Sequence, residues 1–318
     1  MERLDIDEYD DVYRLECAGN VAFISLHAVL SGRCFGGTRF ACYPTEREAL
    51  DDALALSRAM SRKVVMSGVK GGGGKTVIMD CDGERPETIR QVGAFIESLG
   101  GRYHTGGDLG FGSEDIAVLR AATQYVADGD LEGPTADTVV ACMKVAGEVE
   151  RVAIQGMGGI GGAVARALIE EGVHVTACDV RAVSWLDGVE VVAVDEIYDV
   201  PCDVFVPCAI GGVLNEDTIP RLRCRLVCGG ANNPFMTVDD PEHLRARGID
   251  VVPDIVANCG ATIVGASQVL GEAEFIAERM AAVPELARTI LERARKMKRS
   301  AHAVAIEMAD AKIAAARS

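Results

Sequence analysis

The pattern of apolar and polar positions predicts strands and helices that alternate along most of the chain. Continuous apolar runs are typical of strands buried on both faces, whereas apolar positions three and four residues apart indicate amphipathic helices. The predicted strands are 21–30, 76–79, 151–155, 173–178, 204–206, 226–228 and 249–252. Five helices are predicted. The first is capped by Thr45 with Glu48 and ends near Lys63, and the third is capped by Ser113. The others cover Pro86 to Leu99, 135–147 and Gly156 to Glu171.

This alternation is typical of the α/β fold class, and the length of 318 residues allows two domains. We expect two α/β domains with a cleft between them. The first is 1–131, completed by C-terminal helices in 286–318. The second is 132–285, with a Rossmann-type, doubly wound and mostly parallel sheet.

Charge and composition narrow the class of protein. The formal net charge of −16 argues against a nucleic acid or an anionic membrane as partner. The acidic N-terminus does not look like a signal peptide, and no uncharged apolar run is long enough to span a membrane, so we expect a cytoplasmic protein. The eleven cysteines show no close pairing along the sequence and predict free thiols. The five histidines lack ligand spacing, so we predict no metal site.

A cluster of lysines around four glycines is the first sign of chemistry. The chain has seven lysines against twenty-five arginines, and three of the seven, Lys63, Lys70 and Lys75, fall within positions 63–75. A desolvated lysine can lose its proton near neutral pH, whereas arginine cannot, so the choice of lysine suggests a base. The glycines 71–74 let the backbone approach a ligand. A phosphate-binding P-loop is excluded because Val69 stands where that motif needs glycine.

A glycine fingerprint opens the second domain. Gly156, Gly158 and Gly161 lie between a predicted strand and a predicted helix, and Asp179 closes the next strand. In this context the pattern predicts dinucleotide binding at a helix N-terminus. An acid at Asp179 favours NAD over NADP, because it would bond the ribose hydroxyls and repel a 2′-phosphate. The neighbouring Arg181 weakens that preference.

At this point the chain resembles the glutamate/leucine/phenylalanine/valine dehydrogenase family, and most closely its leucine and phenylalanine members. The resemblance extends from about Cys17 to about Ser267. It is carried by the fingerprint, by Lys63 and Lys75 twelve residues apart, and by the motifs Gly36-Gly-Thr-Arg39, Thr105-Gly-Gly-Asp-Leu-Gly110, Pro201-Cys-Asp-Val-Phe-Val-Pro-Cys-Ala209, Gly230-Ala-Asn-Asn-Pro234 and Asn258-Cys-Gly260. The C-terminal region looks shorter than in those members, which favours a homodimer over their larger assemblies.

The resemblance implies a role for each motif. Lys63 would pair with the substrate carboxylate, helped by backbone amides at Gly36 and Gly37. Lys75 would polarise the water that attacks the imino carbon, and Asp108 would exchange protons with the substrate nitrogen. The first domain would then bind the amino acid and the second would bind NAD. The implied cofactor-binding residues are Thr135, Gly156, Gly158, Gly159, Ile160, Gly161, Asp179, Ala209, Asn232 and Asn258.

The resemblance also points to a pocket for the substrate side chain. The residue before the double glycine is lysine in glutamate members, and here it is Phe35, so a dicarboxylic substrate would bury an unpaired charge. The matching positions further along are Gly106, Thr262 and Gly265. These residues imply a large apolar substrate, aromatic or branched aliphatic.

The implied activity is reversible, NAD-dependent oxidative deamination of an apolar L-amino acid. Two alternatives remain at this point. One is a reductase that acts on an imine or a 2-hydroxy acid, and the other is a nucleotide-binding regulatory protein without turnover. The presence of Lys63, Lys75 and Asp108 together argues against the second alternative.

Overall fold

The chain forms two compact α/β units. The computed structural model describes residues 1–127, 132–181 and 186–317. Unit 1 comprises Met1–Gly129, Gln268–Leu270 and Ala309–Ser318, and unit 2 comprises Asp130–Ser267 and Gly271–Met308. The predicted α/β class with two units is confirmed.

Unit 1 contains a mixed, seven-stranded sheet with three helices. Its strands are β1 (Glu2–Leu4), β2 (Asp11–Cys17), β3 (Asn20–Leu26), β4 (Cys34–Phe35), β5 (Thr38–Ala41), β6 (Gly72–Met79) and β7 (Tyr103–His104). Its helices are α1 (Glu46–Met66), α2 (Arg85–Ser98) and α3 (Ser113–Ala122). The order is β1-β2-β3-β6-β4-β7, and β5 also pairs with β6. The pairs from β1 to β6 are antiparallel, whereas β4, β5 and β7 pair in parallel.

Gly72, Gly73 and Gly74 belong to strand β6, whereas the sequence predicts a strand only from Thr76. A Cβ on Gly72 would lie 1.8 Å from the Ala28 carbonyl oxygen, and one on Gly73 would lie 2.0 Å from the Ser61 nitrogen. Glycine at these positions therefore allows Ala28 and helix α1 to pack this closely on the strand. Strand β6 starts at Gly72 rather than Thr76 because these residues pair with β3 and β4.

The helix ends follow the sequence signals with one exception. Thr45 Oγ1 accepts a hydrogen bond from the Glu48 backbone nitrogen at 3.2 Å, which confirms the predicted cap of α1. The cap of α3 is Gly112, not Ser113, and the Gly112 nitrogen donates to the Asp115 carboxylate at 2.8 Å. The Asp115 carboxylate in the first turn thus takes the capping role that was predicted for the Ser113 hydroxyl.

Unit 2 contains a six-stranded, fully parallel sheet. Its strands are β8 (Arg151–Gln155), β9 (His174–Cys178), β10 (Val189–Val191), β11 (Val204–Pro207), β12 (Leu226–Val227) and β13 (Asp250–Val251). The helices that follow unit 1 in the chain are α4 (Glu132–Met143), α5 (Gly159–Glu170), α6 (Asp240–Ala246), α7 (Asp254–Ala257), α8 (Gly260–Leu270), α9 (Ile276–Met297) and α10 (Ala301–Arg317). The order β10-β9-β8-β11-β12-β13 is that of a Rossmann fold, so the predicted Rossmann-type sheet is confirmed.

The C-terminal helices divide differently from the expectation that 286–318 completes the first domain. Helix α9 belongs to unit 2, where it packs on α4 and α7 and continues through Pro284. Only Ala309–Ser318 groups with unit 1. In unit 1 the Arg62 guanidinium forms two bonds to the Asp310 carboxylate, at 2.8 and 2.9 Å. Helix α9 therefore belongs to unit 2 because its apolar face packs on α4 and α7, although it lies near the C-terminus of the chain.

Three general features concern the described residues. None of their helices has an apolar stretch long enough to cross a bilayer. No group of three or more His, Cys, Asp and Glu among them is arranged to hold a metal ion. All eleven cysteines are free thiols. Six of them are buried: Cys17, Cys34, Cys142, Cys178, Cys228 and Cys259.

Candidate active site and nucleotide-binding site

A buried ion pair lies in unit 1 where β6 meets the loop that follows β7. Lys75 Nζ lies 2.8 Å from Asp108 Oδ2, and Lys75 is only 5% exposed. Strand β6 fixes the lysine through its antiparallel pairing with β3. The Asp108 backbone nitrogen donates to the Thr38 carbonyl at 3.1 Å, which fixes the loop on β5. The structure thus brings together two residues that are thirty-three positions apart.

The surroundings of this pair lower the pKa of both its members. Burial lowers the pKa of Lys75 and outweighs the opposing effect of Asp108, and Arg39 lowers it further. Burial alone would raise the pKa of Asp108, but Lys75 and Arg39 together lower it to about 2. The lysine can therefore give up its proton more readily than usual, while the aspartate remains ionised.

Arg39 contacts the buried pair, although no role was predicted for it. Its Nε donates to Asp108 Oδ2 at 3.0 Å and its Nη1 donates to Asp52 Oδ2 at 2.8 Å. Asp52 also accepts a hydrogen bond from the Tyr43 hydroxyl at 2.5 Å. The Gly36-Gly-Thr-Arg39 motif was the available signal, but nothing in the spacing reveals that α1 supplies Asp52. The network holds the Asp108 carboxylate in place beside Lys75.

The double glycine and Lys63 lie against the same strand. A Cβ on Gly36 would lie 1.9 Å from the Gly74 carbonyl oxygen, and one on Gly37 would lie 3.5 Å from Lys75 Nζ. Lys63 is buried in the last turn of α1. The turn before it is held on β6, because the Gly73 nitrogen donates to Ser61 Oγ at 2.9 Å. Unit 1 therefore places the predicted substrate-binding backbone next to the ion pair.

The predicted side-chain pocket is described in two parts. In unit 1 the ring of Phe35 is buried, with its centroid 5.6 Å from that of His104. A Cβ on Gly106 would meet nothing nearer than the Ala127 Cβ at 3.9 Å, so there is space in front of Gly106. In unit 2 Thr262 and Gly265 lie on α8.

The glycine fingerprint of unit 2 forms a tight turn between β8 and α5. Gly156 has a φ of +96°, and a Cβ there would lie 2.7 Å from the Ala209 nitrogen. A Cβ on Gly161 would lie 2.0 Å from the Gly156 carbonyl oxygen, which accounts for glycine at both positions. In contrast, a Cβ on Gly158 would have open space, with the Arg181 guanidinium nearest at 3.9 Å. The space over Gly158 leaves room for a phosphate at the start of α5.

Asp179 follows β9 and faces this turn. Its Oδ2 accepts a hydrogen bond from the Met157 nitrogen at 2.7 Å, and its Oδ1 accepts one from the Arg181 nitrogen at 2.8 Å. Burial would raise the pKa of Asp179, but these backbone donors lower it below its usual value. Arg181 Nε lies 3.5 Å from Asp179 Oδ1, and its side chain is largely exposed. An ionised acid therefore stands at the position that contacts the adenosine ribose in Rossmann folds.

Three further predicted cofactor residues lie together at the starts of α4 and α8. Asn258 is buried, and its Nδ2 donates to Asn232 Oδ1 at 3.0 Å and to the Gly230 carbonyl at 3.1 Å. No donor from the described part of the chain reaches the buried Asn258 Oδ1. Thr135 Oγ1 accepts a hydrogen bond from the Ala261 nitrogen at 3.4 Å. A buried acceptor without a protein donor fits a ligand that carries an amide.

These features fit a dinucleotide, with one exception. The Glu132 carboxylate lies against the first residue of α5, because a Cβ on Gly159 would come within 1.7 Å of its Oε1. Gly159 and the half-buried Ile160 form the first turn of α5, where backbone amides point outwards. A pyrophosphate at this turn would meet the negative charge of Glu132. The site therefore fits the nucleotide once the Glu132 side chain has moved aside.

Comparison with known proteins relates these sites to a family. Residues 13–125 match the model described as Glu/Leu/Phe/Val dehydrogenase, dimerisation domain, and residues 179–318 match Glutamate/Leucine/Phenylalanine/Valine dehydrogenase. The phenylalanine dehydrogenase of Caldalkalibacillus thermarum is 36% identical over 282 residues, which cover 80% of this chain and 76% of the relative. The leucine dehydrogenase of Thermoactinomyces intermedius is 36% identical over 295 residues, covering 84% and 80%.

Solved structures agree with this match. The crystal structure of L-tryptophan dehydrogenase from Nostoc punctiforme superposes with a TM-score of 0.84 at 30% identity, covering 98% of this chain and 97% of that one. A hetero-hexameric glutamate dehydrogenase from Thermus thermophilus shares the fold, with a TM-score of 0.77 at 19% identity, covering 96% of this chain and 89% of that one. On these matches, the chain belongs to the glutamate/leucine/phenylalanine/valine dehydrogenase family.

Proposed function

We propose that the chain is an NAD-dependent dehydrogenase that converts an L-amino acid with a large apolar side chain into its 2-oxo acid and ammonia, reversibly. The observation that carries the proposal is the buried contact between Lys75 and Asp108. Oxidation to an imine and its hydrolysis need proton transfer at both carbon and nitrogen. An amine of lowered pKa beside an ionised carboxylate supplies both transfers.

Each residue of unit 1 has a separate task in this proposal. Lys63 pairs with the substrate carboxylate, with the backbone amides of Gly36 and Gly37 beside it. Asp108 accepts a proton from the substrate nitrogen as the imine forms. Lys75 takes a proton from the water that adds to the imino carbon, and Asp108 returns a proton to the departing ammonia. The bound nicotinamide supplies the acceptor for the hydride.

Unit 2 holds the nucleotide in this proposal. The amides at the start of α5 and the open space over Gly158 accept the pyrophosphate, and Asp179 accepts hydrogen bonds from the adenosine ribose. The nicotinamide end is held by the group around Asn258, whose Oδ1 is buried and lacks a donor from the described residues. The other proposed contacts are Thr135, Gly156, Gly159, Ile160, Gly161, Ala209 and Asn232.

We expect NAD to be preferred over NADP, because the ionised Asp179 would repel a 2′-phosphate. The ratio of kcat/KM for the two cofactors measures this preference. Asp179→Ser should reduce the preference by about tenfold or more, since one unfavourable charge contact is worth on the order of 1.4 kcal/mol. Asp187→Ser, at an exposed position of the same unit, is the control. Equal use of both cofactors by the wild type would contradict the assignment of Asp179 and point to Arg181.

Glu132→Gln is expected to tighten NADH binding by roughly tenfold, because the negative side chain beside Gly159 competes with the pyrophosphate. A titration of NADH fluorescence gives the Kd without any turnover. Glu148→Gln, an exposed glutamate of unit 2, should leave the Kd unchanged. Weaker NADH binding by Glu132→Gln would show that the carboxylate helps to hold the nucleotide instead.

The substrate is proposed to carry a large apolar side chain. By the family resemblance, Phe35 stands where glutamate members have a lysine for the distal carboxylate, and its ring is buried. The open space in front of Gly106 supports a large side chain. The similarity to phenylalanine, leucine and L-tryptophan dehydrogenases supports this class. The pocket positions Thr262 and Gly265 belong to the same proposal. A branched aliphatic substrate remains the second candidate, because the family includes leucine dehydrogenases.

A panel of phenylalanine, tryptophan, leucine, valine and glutamate should place glutamate last in kcat/KM. Gly106→Leu should lower kcat/KM for the aromatic substrates by about tenfold or more while leaving valine nearly unchanged, because its side chain would fill the open space. Valine far ahead of phenylalanine in the wild type would leave the aliphatic candidate. Glutamate as the best substrate would contradict the pocket.

We also propose a homo-oligomer, with a dimer favoured. The support is the match of residues 13–125 to the family's dimerisation domain. Sedimentation equilibrium of the purified chain measures the mass, and a monomer at micromolar concentration would contradict the proposal.

A further inference from the structure

Two cysteines that are distant in sequence face each other across neighbouring strands of unit 2. The bridge Pro201↔Arg223 and the pair Val204↔Leu226 have the same offset, since 223 − 201 and 226 − 204 both equal 22. Cys202 is therefore in register with Cys224. The Cys202 nitrogen donates to the Arg223 carbonyl at 3.2 Å, which holds this register.

The two side chains lie on the same side of the sheet, because residues in register on parallel strands point the same way. Both side chains are partly buried and pack against the same hydrophobic cluster, which contains Phe205 and Leu222. The Cys202 thiol shares a hydrogen bond with the Cys224 sulfur, which lowers the pKa of Cys224, and the positive charge of Arg247 lowers it further. Cys224 is thus the better nucleophile of the two.

The backbone spacing permits a bond between them. Adjacent strands lie about 4.8 Å apart, and the Cα atoms of residues in register have a similar separation. This lies within the range of about 4.4–6.8 Å that disulfides span. The pair precedes β11 and β12, at the edge of the sheet opposite the carboxyl ends where Gly156 turns towards α5.

We propose that Cys202 and Cys224 are a redox modification site. A hydroperoxide oxidises the two thiols, which form a reversible intramolecular disulfide with each other. The Cys224 thiolate attacks the O–O bond of hydrogen peroxide and becomes a sulfenic acid, and a hydroxide leaves and takes up the thiol proton as water. The Cys202 sulfur then attacks the sulfenic sulfur, forms the S–S bond and releases a second water. The two thiols lose two electrons and the peroxide gains them. A dithiol reductant reverses the step by exchange.

The test uses the native protein carrying Cys42→Ser and Cys81→Ser, which remove the two exposed thiols. Brief treatment with hydrogen peroxide should remove two of the nine remaining thiols, counted with Ellman's reagent after unfolding. Peptide mass spectrometry should identify one Cys202–Cys224 cross-link, and dithiothreitol should restore both thiols.

The variants Cys202→Ser and Cys224→Ser provide the controls. In that background each should abolish the cross-link, and Cys202→Ser should leave a trappable sulfenic acid on Cys224. The proposal is overturned if native protein loses buried thiols before this pair. It is also overturned if both cysteines are oxidised singly without the cross-link. Neither outcome depends on the dehydrogenase activity.

Discussion

Lys75→Ala is expected to lower kcat by about 10²–10⁴-fold, the usual loss when a positioned base is removed. The reason is that Lys75 is the only amine paired with Asp108 among the described residues, and burial lowers its pKa. The other cation on Asp108 is Arg39, which cannot act as a base at neutral pH. NADH binding should be retained, because the fingerprint belongs to unit 2.

Steady-state kinetics measures the expected loss of kcat in Lys75→Ala, and an NADH titration measures the expected retention of cofactor binding. Lys70→Ala is the matched control, since Lys70 is a lysine five positions earlier but exposed. Lys75→Met keeps most of the side-chain volume and should lose activity to the same extent, with a smaller loss of thermal stability. A Lys75→Ala protein with nearly wild-type kcat would remove the lysine from the mechanism.

Asp108→Asn is expected to cost a similar factor, about 10²–10⁴-fold in kcat, because the amide can neither accept nor return the proton of the substrate nitrogen. The change also alters Lys75. Asp108 raises the pKa of that amine, so its loss should lower the pKa of Lys75 further. Activity that requires a neutral amine is lost as the pH falls through the Lys75 pKa. The acidic limb of kcat/KM against pH should therefore move to lower pH.

Asp52→Asn distinguishes this effect from a general loss of charge. Asp52 bonds to Arg39, whereas Asp108 bonds to Lys75 directly. Asp52→Asn should therefore lower kcat by no more than about tenfold. Equal losses for both aspartate variants, with no shift of the acidic limb in Asp108→Asn, would mean that Asp108 only helps to hold the loop.

Several elements of unit 2 could be predicted from local sequence. Strand β8 was predicted with its observed bounds, and the turn after it was recognised from three glycines and a following acid. These signals are local, because the tight turn at Gly156 and the close packing at Gly161 each require a missing side chain. Strand β10 was missed because it is short and partly exposed.

The features that were missed depend on contacts between distant residues. The predicted strand 76–79 leaves out the glycines of β6, because their close packing on α1 is visible only when Ser61 lies against Gly73. Arg39 acquires its partners from a helix and a loop, and Cys202 acquires its neighbour from strand register. The first strands, β1 and β2, have exposed and charged positions that conceal their pairing.

Helix α10 is shared between the two units, and this affects the order in which they can fold during synthesis. Its last residues group with unit 1, and Arg317 there bonds to the carbonyl of His27 and, at 3.2 Å, to Asp10. Every residue of unit 2 is synthesised before these contacts can form. On a ribosome, the Rossmann unit can thus complete its sheet while the unit made first still waits for its final segment. A pause in translation after residue 308 should leave unit 1 more open to proteases than unit 2.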